Sequence, residues 1–195
     1  MTHQRRLVLG STSRYRADLL RRLGLAFEQR APGTEEIELA SEMPAVRAIR
    51  LATAKAMAAG AGLADALVIG SDQVAELDGV LLEKPGSVER AHAQLSACSG
   101  RTVTFHTAVC VFDTDSGQQY PYIDLTLVQF RQLQPEEISR YIEREQPLDC
   151  AGSFKCEGLG ISLFERIDNS DPTALIGLPL IALAKLLRDA GMAVP

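Results

Sequence analysis

Two apolar runs, Leu7-Val8-Leu9-Gly10 and Ala66-Leu67-Val68-Ile69, constrain this chain most, because each reads as a short buried strand that ends in a polar turn. The first turn, Ser11-Thr12-Ser13-Arg14-Tyr15-Arg16, opens a helix in which Leu19, Leu20 and Leu23 recur at helical spacing and Gly24 supplies a stop. The second run leads into Gly70-Ser71-Asp72-Gln73. Strands followed by polar turns and helices are the grammar of open α/β sheets, whose chemistry lies beyond the strand ends. Asp72 is therefore the leading candidate residue, a lone carboxylate expected at the end of a buried strand. Taken singly, each motif also has a plain structural reading: Asp72 caps a turn, and Ser11 or Ser13 caps a helix.

The remaining pattern extends the α/β reading. A short strand is expected over Phe27 to Ala31, then an acidic segment with Glu35, Glu36, Glu38 and Glu42. Pro44 suits the first turn of a helix to about Ala59, with Val46, Ile49 and Met57 on or near one face and Lys55 among alanines. Val74 to Leu77, Asp78-Gly79 and Val80 to Leu82 read as a hairpin closed by Lys84-Pro85. Ser87 caps a helix through Cys98, and Val103 to Phe112 and Tyr122 to Phe130 form two long strands expected to pair. A helix from Pro135 presents Ile138, Tyr141 and Ile142 and ends before Pro147. A glycine-rich stretch follows, then a strand over Ile161 to Ile167, and after Gly177-Leu178-Pro179 an apolar helix running to Ala190.

A chain of 195 residues with 46% hydrophobic content can bury a full core. Its length favours one domain, or two joined lobes sharing a cleft. A formal charge of −5 provides no basic field for a nucleic-acid polymer, so a phosphate ligand must be caught by local Arg and Lys groups. Cys98, Cys110, Cys150 and Cys156 form no Cys-x-x-Cys pair and stand at no metal spacing to His3, His92 or His106, which reads as buried thiols in a reducing cytosol. The histidines, lacking a nucleophile-base pattern, read as structural or exposed. No basic-then-apolar leader and no membrane-length apolar stretch is present, so a soluble cytoplasmic protein is expected.

Hydroxyls and backbone N–H groups at a helix start bind phosphate because unpaired donors and the helix dipole both favour negative charge there. Ser11, Ser13, Arg14 and Arg16 supply those parts without matching a P-loop or a dinucleotide fingerprint. The same residues suit an ordinary capped helix with solvated arginines. Lys55 and Lys84 are further candidates for neutralising a polyphosphate, although either alone reads as solvated. Glu36 together with Asp72 can hold a hard divalent cation such as Mg²⁺ through oxygen ligands and waters, and the acidic run around Glu36 reads equally as surface.

Ser11-x-Ser13-x-x-Arg16, Glu36, Lys55, Gly70-Ser71-Asp72-Gln73, Lys84-Pro85, the stretch Cys150-Ala151-Gly152-Ser153-Phe154-Lys155-x-Glu157-Gly158 and Gly177-Leu178-Pro179 together resemble the Maf family of nucleoside triphosphate pyrophosphatases. The resemblance spans nearly the whole chain and is greatest for the subfamily acting on 7-methyl-GTP. It implies a single domain over 1–195, an α/β fold with a twisted mixed sheet flanked by helices, and two lobes around a nucleotide-binding cleft. It also implies a homodimer, a required divalent metal (Mg²⁺, Mn²⁺ or Co²⁺), and hydrolysis of a nucleoside triphosphate to monophosphate and pyrophosphate. Asp72 takes the proton-acceptor role, with metal ligation as the other role open to it, beside Glu36. Ser11, Ser13, Arg16, Lys55 and Lys84 hold phosphate, while Tyr15, Gln73 and Glu157 match the positions that choose the base. The family's usual turn reads Ser-x-Ser-Pro-Arg-Arg, and here Arg14 replaces the proline and Tyr15 the first arginine. Two rival functions share the resemblance: a nucleotide-binding regulator of septum formation with little catalysis, and an inosine or xanthosine triphosphate pyrophosphatase.

Overall fold

In the computed structural model, residues 5–37 and 39–194 are described. His3 and Glu38, both named above, lie outside the described residues. The elements run β1 (Arg6–Leu9), α1 (Arg14–Arg21), β2 (Glu28–Gln29), α2 (Pro44–Gly60), β3 (Ala66–Leu77), β4 (Val80–Leu81), α3 (Val88–Cys98), β5 (Thr102–Asp113), β6 (Gln119–Phe130), α4 (Pro135–Glu145), β7 (Phe164–Asp168) and α5 (Leu180–Asp189). The strands form an open mixed sheet in the order β2-β1-β3-β5-β6-β7, with β4 on β3. β1 is parallel to both β2 and β3, whereas β4 and β7 pair antiparallel with β3 and β6. This is the α/β class expected from the sequence, and the two long strands β5 and β6 are neighbours as expected.

Three local expectations need correction. β3 does not end near Ile69 but continues through Asp72 to Leu77, because β5 flanks its other edge when β1 stops. The parallel ladder closes at Leu9 opposite Ile69, and Gly10 N–H donates to the Ile69 carbonyl at 2.7 Å. Asp72 thus lies just past the end of the neighbouring strand, not of its own. On α2, Val46 and Met57 face solvent, and the buried face is built from Ala48, Leu51, Ala52, Lys55, Ala56 and Ala59. Finally, Leu159–Leu163 is a 3-10 turn, so the last strand begins only at Phe164.

The chain divides into two compact units, one of Met1–Asp72, Thr107–Asp124 and Asp171–Pro195, the other of Gln73–His106 and Leu125–Ser170. The first is built on Leu7, Leu9, Leu19, Leu20, Leu67 and Ile69 packed with Leu183 and Leu187 of α5. Asp171 fixes the start of α5: its Oδ2 accepts from Ile181 N–H at 2.6 Å, while its Oδ1 accepts from the Thr173 hydroxyl at 2.7 Å. The carboxylate satisfies orphan donors and complements the helix dipole. In the second unit Phe105, Phe130, Phe154 and Phe164 meet edge to face, with centroids 4.7 to 5.6 Å apart. Such contacts add to the burial of the rings themselves. Among the described residues no helix is long and apolar enough to cross a membrane.

Candidate functional site

The first helix starts where the sequence places it. Ser13 is the N-cap of α1 and its hydroxyl accepts from Arg16 N–H, while Ser11 Oγ accepts from Ser13 N–H at 3.1 Å. The Ser11 carbonyl in turn accepts from Gln29 Nε2 of β2 at 3.0 Å. The serines therefore do cap a helix, and in doing so they order a turn whose N-terminal N–H groups carry partial positive charge.

Arg16 is anchored rather than solvated. Its Nε donates to the Gly177 carbonyl at 3.0 Å and its Nη1 to Ser11 Oγ at 3.4 Å. The same Gly177 carbonyl accepts from Ser71 Oγ at 2.9 Å, and that hydroxyl also reaches the Ala108 carbonyl at 2.8 Å. Gly177 holds φ at +120°, a conformation L side chains rarely adopt, so a glycine suits the turn that aims this carbonyl. Burial lowers the pKa of the Arg16 guanidinium, and the carboxylates of Asp72 and Glu36 oppose that shift. The start of α1 and Asp72 thus share one electrostatic environment inside the first unit.

Lys55 reaches the same place from α2. Its Nζ lies 2.6 Å from Asp72 Oδ1 and 2.6 Å from Glu36 Oε1. Lys55 and Asp72 are both buried, whereas Glu36 is half exposed. The approach depends on missing side chains: a Cβ on Gly70 would collide with the Ala52 carbonyl oxygen and lie 2.5 Å from Ala56 N, and one on Gly10 would lie 2.8 Å from Ala59 Cβ. Alanines facing glycines let α2 lie close against β1 and β3, and this places Lys55 beside Asp72. Burial pushes the Asp72 carboxyl above the ordinary range, with Lys55 and Arg16 pulling it down and Glu36 adding to the rise. A desolvated carboxylate with a raised pKa is a stronger proton acceptor than a solvated one.

Glu36 and Asp72 converge on the Lys55 ammonium, so a divalent metal shared by the two carboxylates would compete with Lys55 for them. Two hard carboxylate oxygens suit Mg²⁺ when water and substrate phosphate complete its shell. Among the described residues no group of three or more His, Cys, Asp or Glu is arranged to hold a metal without such help.

The other candidates take separate positions. Tyr15 is half-buried in the first turn of α1, its hydroxyl accepts from Arg14 Nη2 at 2.9 Å, and the Arg14 guanidinium lies 4.8 Å from the ring centroid. Gln73 follows Asp72 on β3 and is half-buried. Lys84 is exposed just after β4, and Glu157 is exposed in the glycine-rich stretch, where its Oε2 accepts from Cys156 Sγ at 3.5 Å. Sequence reading assigned no role to Ser71, and none to the carbonyl of Gly177. The only signal for them is adjacency: Ser71 precedes the candidate acid, and Gly177 opens the last motif.

Other potential chemistry is quiet. All four cysteines are free, with Cys98 and Cys110 buried as expected and Cys150 and Cys156 only partly so. Burial pushes the Cys98, Cys150 and Cys156 thiols up to about 12, which removes thiolate nucleophiles at neutral pH. His92 Nδ1 lies 3.4 Å from Ser96 Oγ, and the buried His106 places Nε2 3.2 Å from Glu76 Oε1.

Against known proteins, the chain matches a model described as Maf-like protein over residues 6–190. It is 56% identical over 190 residues to a 7-methyl-GTP pyrophosphatase of Xanthomonas oryzae pv. oryzae (strain MAFF 311018), covering 97% of this chain and 99% of the relative. It is 51% identical over 185 residues to a protein of the same name from Nitrosococcus oceani, covering 95% of this chain and 93% of that one. A solved nucleoside-triphosphatase / dITP/XTP pyrophosphatase from Mycobacterium abscessus aligns at a TM-score of 0.42 with 16% identity, over 66% of this chain and 75% of the other, too distant to bear on fold or substrate. A match that runs from β1 into the last residues of α5's C-terminal turn, joined to relatives at more than half identity, places this chain in the Maf-like family.

Proposed function

We propose that this protein hydrolyses 7-methyl-GTP to 7-methyl-GMP and pyrophosphate by attack of water on the α-phosphorus, and so removes a modified nucleotide. The observation that carries the reading is the convergence of Asp72, Lys55, Glu36 and the anchored Arg16 in one unit. Relatives at more than half identity bearing that activity in their names support the same substrate.

Asp72 accepts the water's proton in this reading. Its buried position raises its proton affinity, while Lys55 keeps the carboxylate ionised enough to act. Arg16, held by the Gly177 carbonyl, presents its guanidinium to phosphate with little orientation left to fix, and Ser11, Ser13 and the first N–H groups of α1 extend that cradle. Lys55 and Lys84 add positive charge toward the triphosphate. Glu36, and Asp72 in its alternative role of metal ligand, would hold a divalent cation, Mg²⁺, Mn²⁺ or Co²⁺, which would offset the charge of the anhydride. Tyr15 stacks on the purine, a contact of about 1–3 kcal/mol that strengthens when N7-methylation makes the base cationic. Glu157 accepts the guanine ring N–H and amino protons, and Gln73 completes the base-selecting set. A cytoplasmic homodimer that acts on a free nucleotide, not on a polymer, belongs to the same reading.

The test is a panel of 7-methyl-GTP, GTP, UTP and inosine and xanthosine triphosphates, each with and without Mg²⁺, read by product analysis. Pyrophosphate and monophosphate in equal amounts, metal-dependent and fastest from 7-methyl-GTP, are expected. Binding without turnover would replace the enzyme by a regulator. Equal rates on inosine and xanthosine triphosphates would replace the substrate.

A further inference from the structure

The surface of the second unit carries an open pocket of about 170 Å³ lined in part by Arg131, Glu137, Arg140, Arg144 and Ser162, none of which has a role in the hydrolysis described above. Three guanidiniums and one carboxylate face it. The carboxylate is already committed: Glu137 Oε1 accepts from Arg131 Nη2 at 3.3 Å, and Oε2 accepts from Gln134 N–H at 2.9 Å, closing the capping box of α4. Arg131 is fixed further by Nε donating to the Ser162 carbonyl at 2.8 Å.

Arg140 and Arg144 are exposed, and the Glu137 carboxylate, already bonded to Arg131, feels the charge of Arg140 as well, so one carboxylate serves two guanidiniums. Among the described residues neither guanidinium makes a hydrogen bond or a close ion pair, with Glu136 and Glu143 of the same helix included. They stand one helical turn apart on α4, a spacing at which like charges repel. The helix dipole rewards one cation in the last turn, which accounts for Arg144. It does not account for Arg140 and Arg131 facing the same space. We propose that this pocket binds a small multivalent oxyanion, of orthophosphate or pyrophosphate size, gripped by Arg140 and Arg144 over a floor set by Arg131. Guanidinium forks match phosphate oxygens two by two, and Arg131 arrives pre-oriented. The volume suits a small anion, since pockets that enclose drug-sized ligands run to roughly 300–1,000 Å³.

The experiment titrates the full chain with sodium pyrophosphate and, separately, orthophosphate at constant ionic strength, followed residue by residue by ¹H–¹⁵N NMR. Saturable shifts over residues 131–144 and 159–163 are expected, with pyrophosphate the tighter ligand. Shifts at residues 10–16 would report the Asp72 site separately. The double variant Arg140→Gln/Arg144→Gln is expected to weaken the 131–163 response about tenfold or more. Without anion it should keep wild-type turnover. The proposal is overturned if the double variant binds with an unchanged midpoint, or if sodium chloride at equal ionic strength produces the same shifts. Shifts produced by an acidic peptide but not by pyrophosphate would overturn it in favour of a protein partner.

Discussion

At the scale of single residues, Asp72 is a group whose burial works against its own charge, and the sign of that conflict is measurable. Its folded pKa is raised, so between the ordinary carboxylate value and the raised one the folded state holds the extra proton. Stability therefore falls as pH rises through that window and then levels off. Asp72→Asn removes the buried charge and leaves Lys55 its second partner, Glu36. In chelator-treated protein the variant is expected to melt at or above the wild-type temperature at pH 7, with the gap closing as pH falls toward the ordinary carboxylate range. A variant that melts well below wild type throughout would make Asp72 a structural ion-pair member. Glu157 provides a second test at this scale. Glu157→Gln should reduce the preference for 7-methyl-GTP over UTP by about 1–3 kcal/mol, or about five- to 150-fold in relative kcat/KM. Unchanged discrimination removes Glu157 from base selection. Asp72, Lys55, Glu36 and Arg16, which converge here, were each singled out in the sequence, while Ser71, the Gly177 carbonyl and the bonds among them were not. Arg16 is held by a carbonyl 161 positions away, a contact no local pattern encodes.

At the scale of elements, the site depends on how closely α2 lies against β1 and β3. Glycine at 70 and alanine at 52 and 56 leave no room for another methyl group, and Lys55 sits in the same helical stretch. Gly70→Ala must push the helix outward. Overpacking of this kind costs about 1–3 kcal/mol, and the shift should slow turnover as Lys55 moves from Asp72. Thermal melts and kcat measured together check this, and wild-type values in both would show that α2 has slack. The alanines of α2 were visible in the sequence, while the choice of buried face was not. Apolar side-chain size pointed to Val46 and Met57, yet these are exposed because close helix packing against glycines favours small residues. Asp72 shows the same limit. Its polar turn was read as the end of a strand, but strand pairing is set by neighbours, and β3 runs on beside β5.

At the scale of the whole molecule, the alternation of strands and helices was legible because its apolar periods are strong and its caps explicit, as at Ser13 and Ser87. The sheet order joins strands far apart in the chain, and pairing preferences between them leave no mark on local periodicity. What ties the whole fold to function is the claim that Asp72 drives cleavage between the α- and β-phosphates. The measurement is ³¹P NMR of 7-methyl-GTP turnover in the presence of Mg²⁺, wild type against Asp72→Asn, with the folded state of the variant checked by its melt. Wild type is expected to release pyrophosphate and 7-methyl-GMP one for one, and the variant to do so about 10²–10⁴-fold more slowly, as removal of a general base does. Orthophosphate as the released product, or a folded variant with near-normal turnover, would contradict the account.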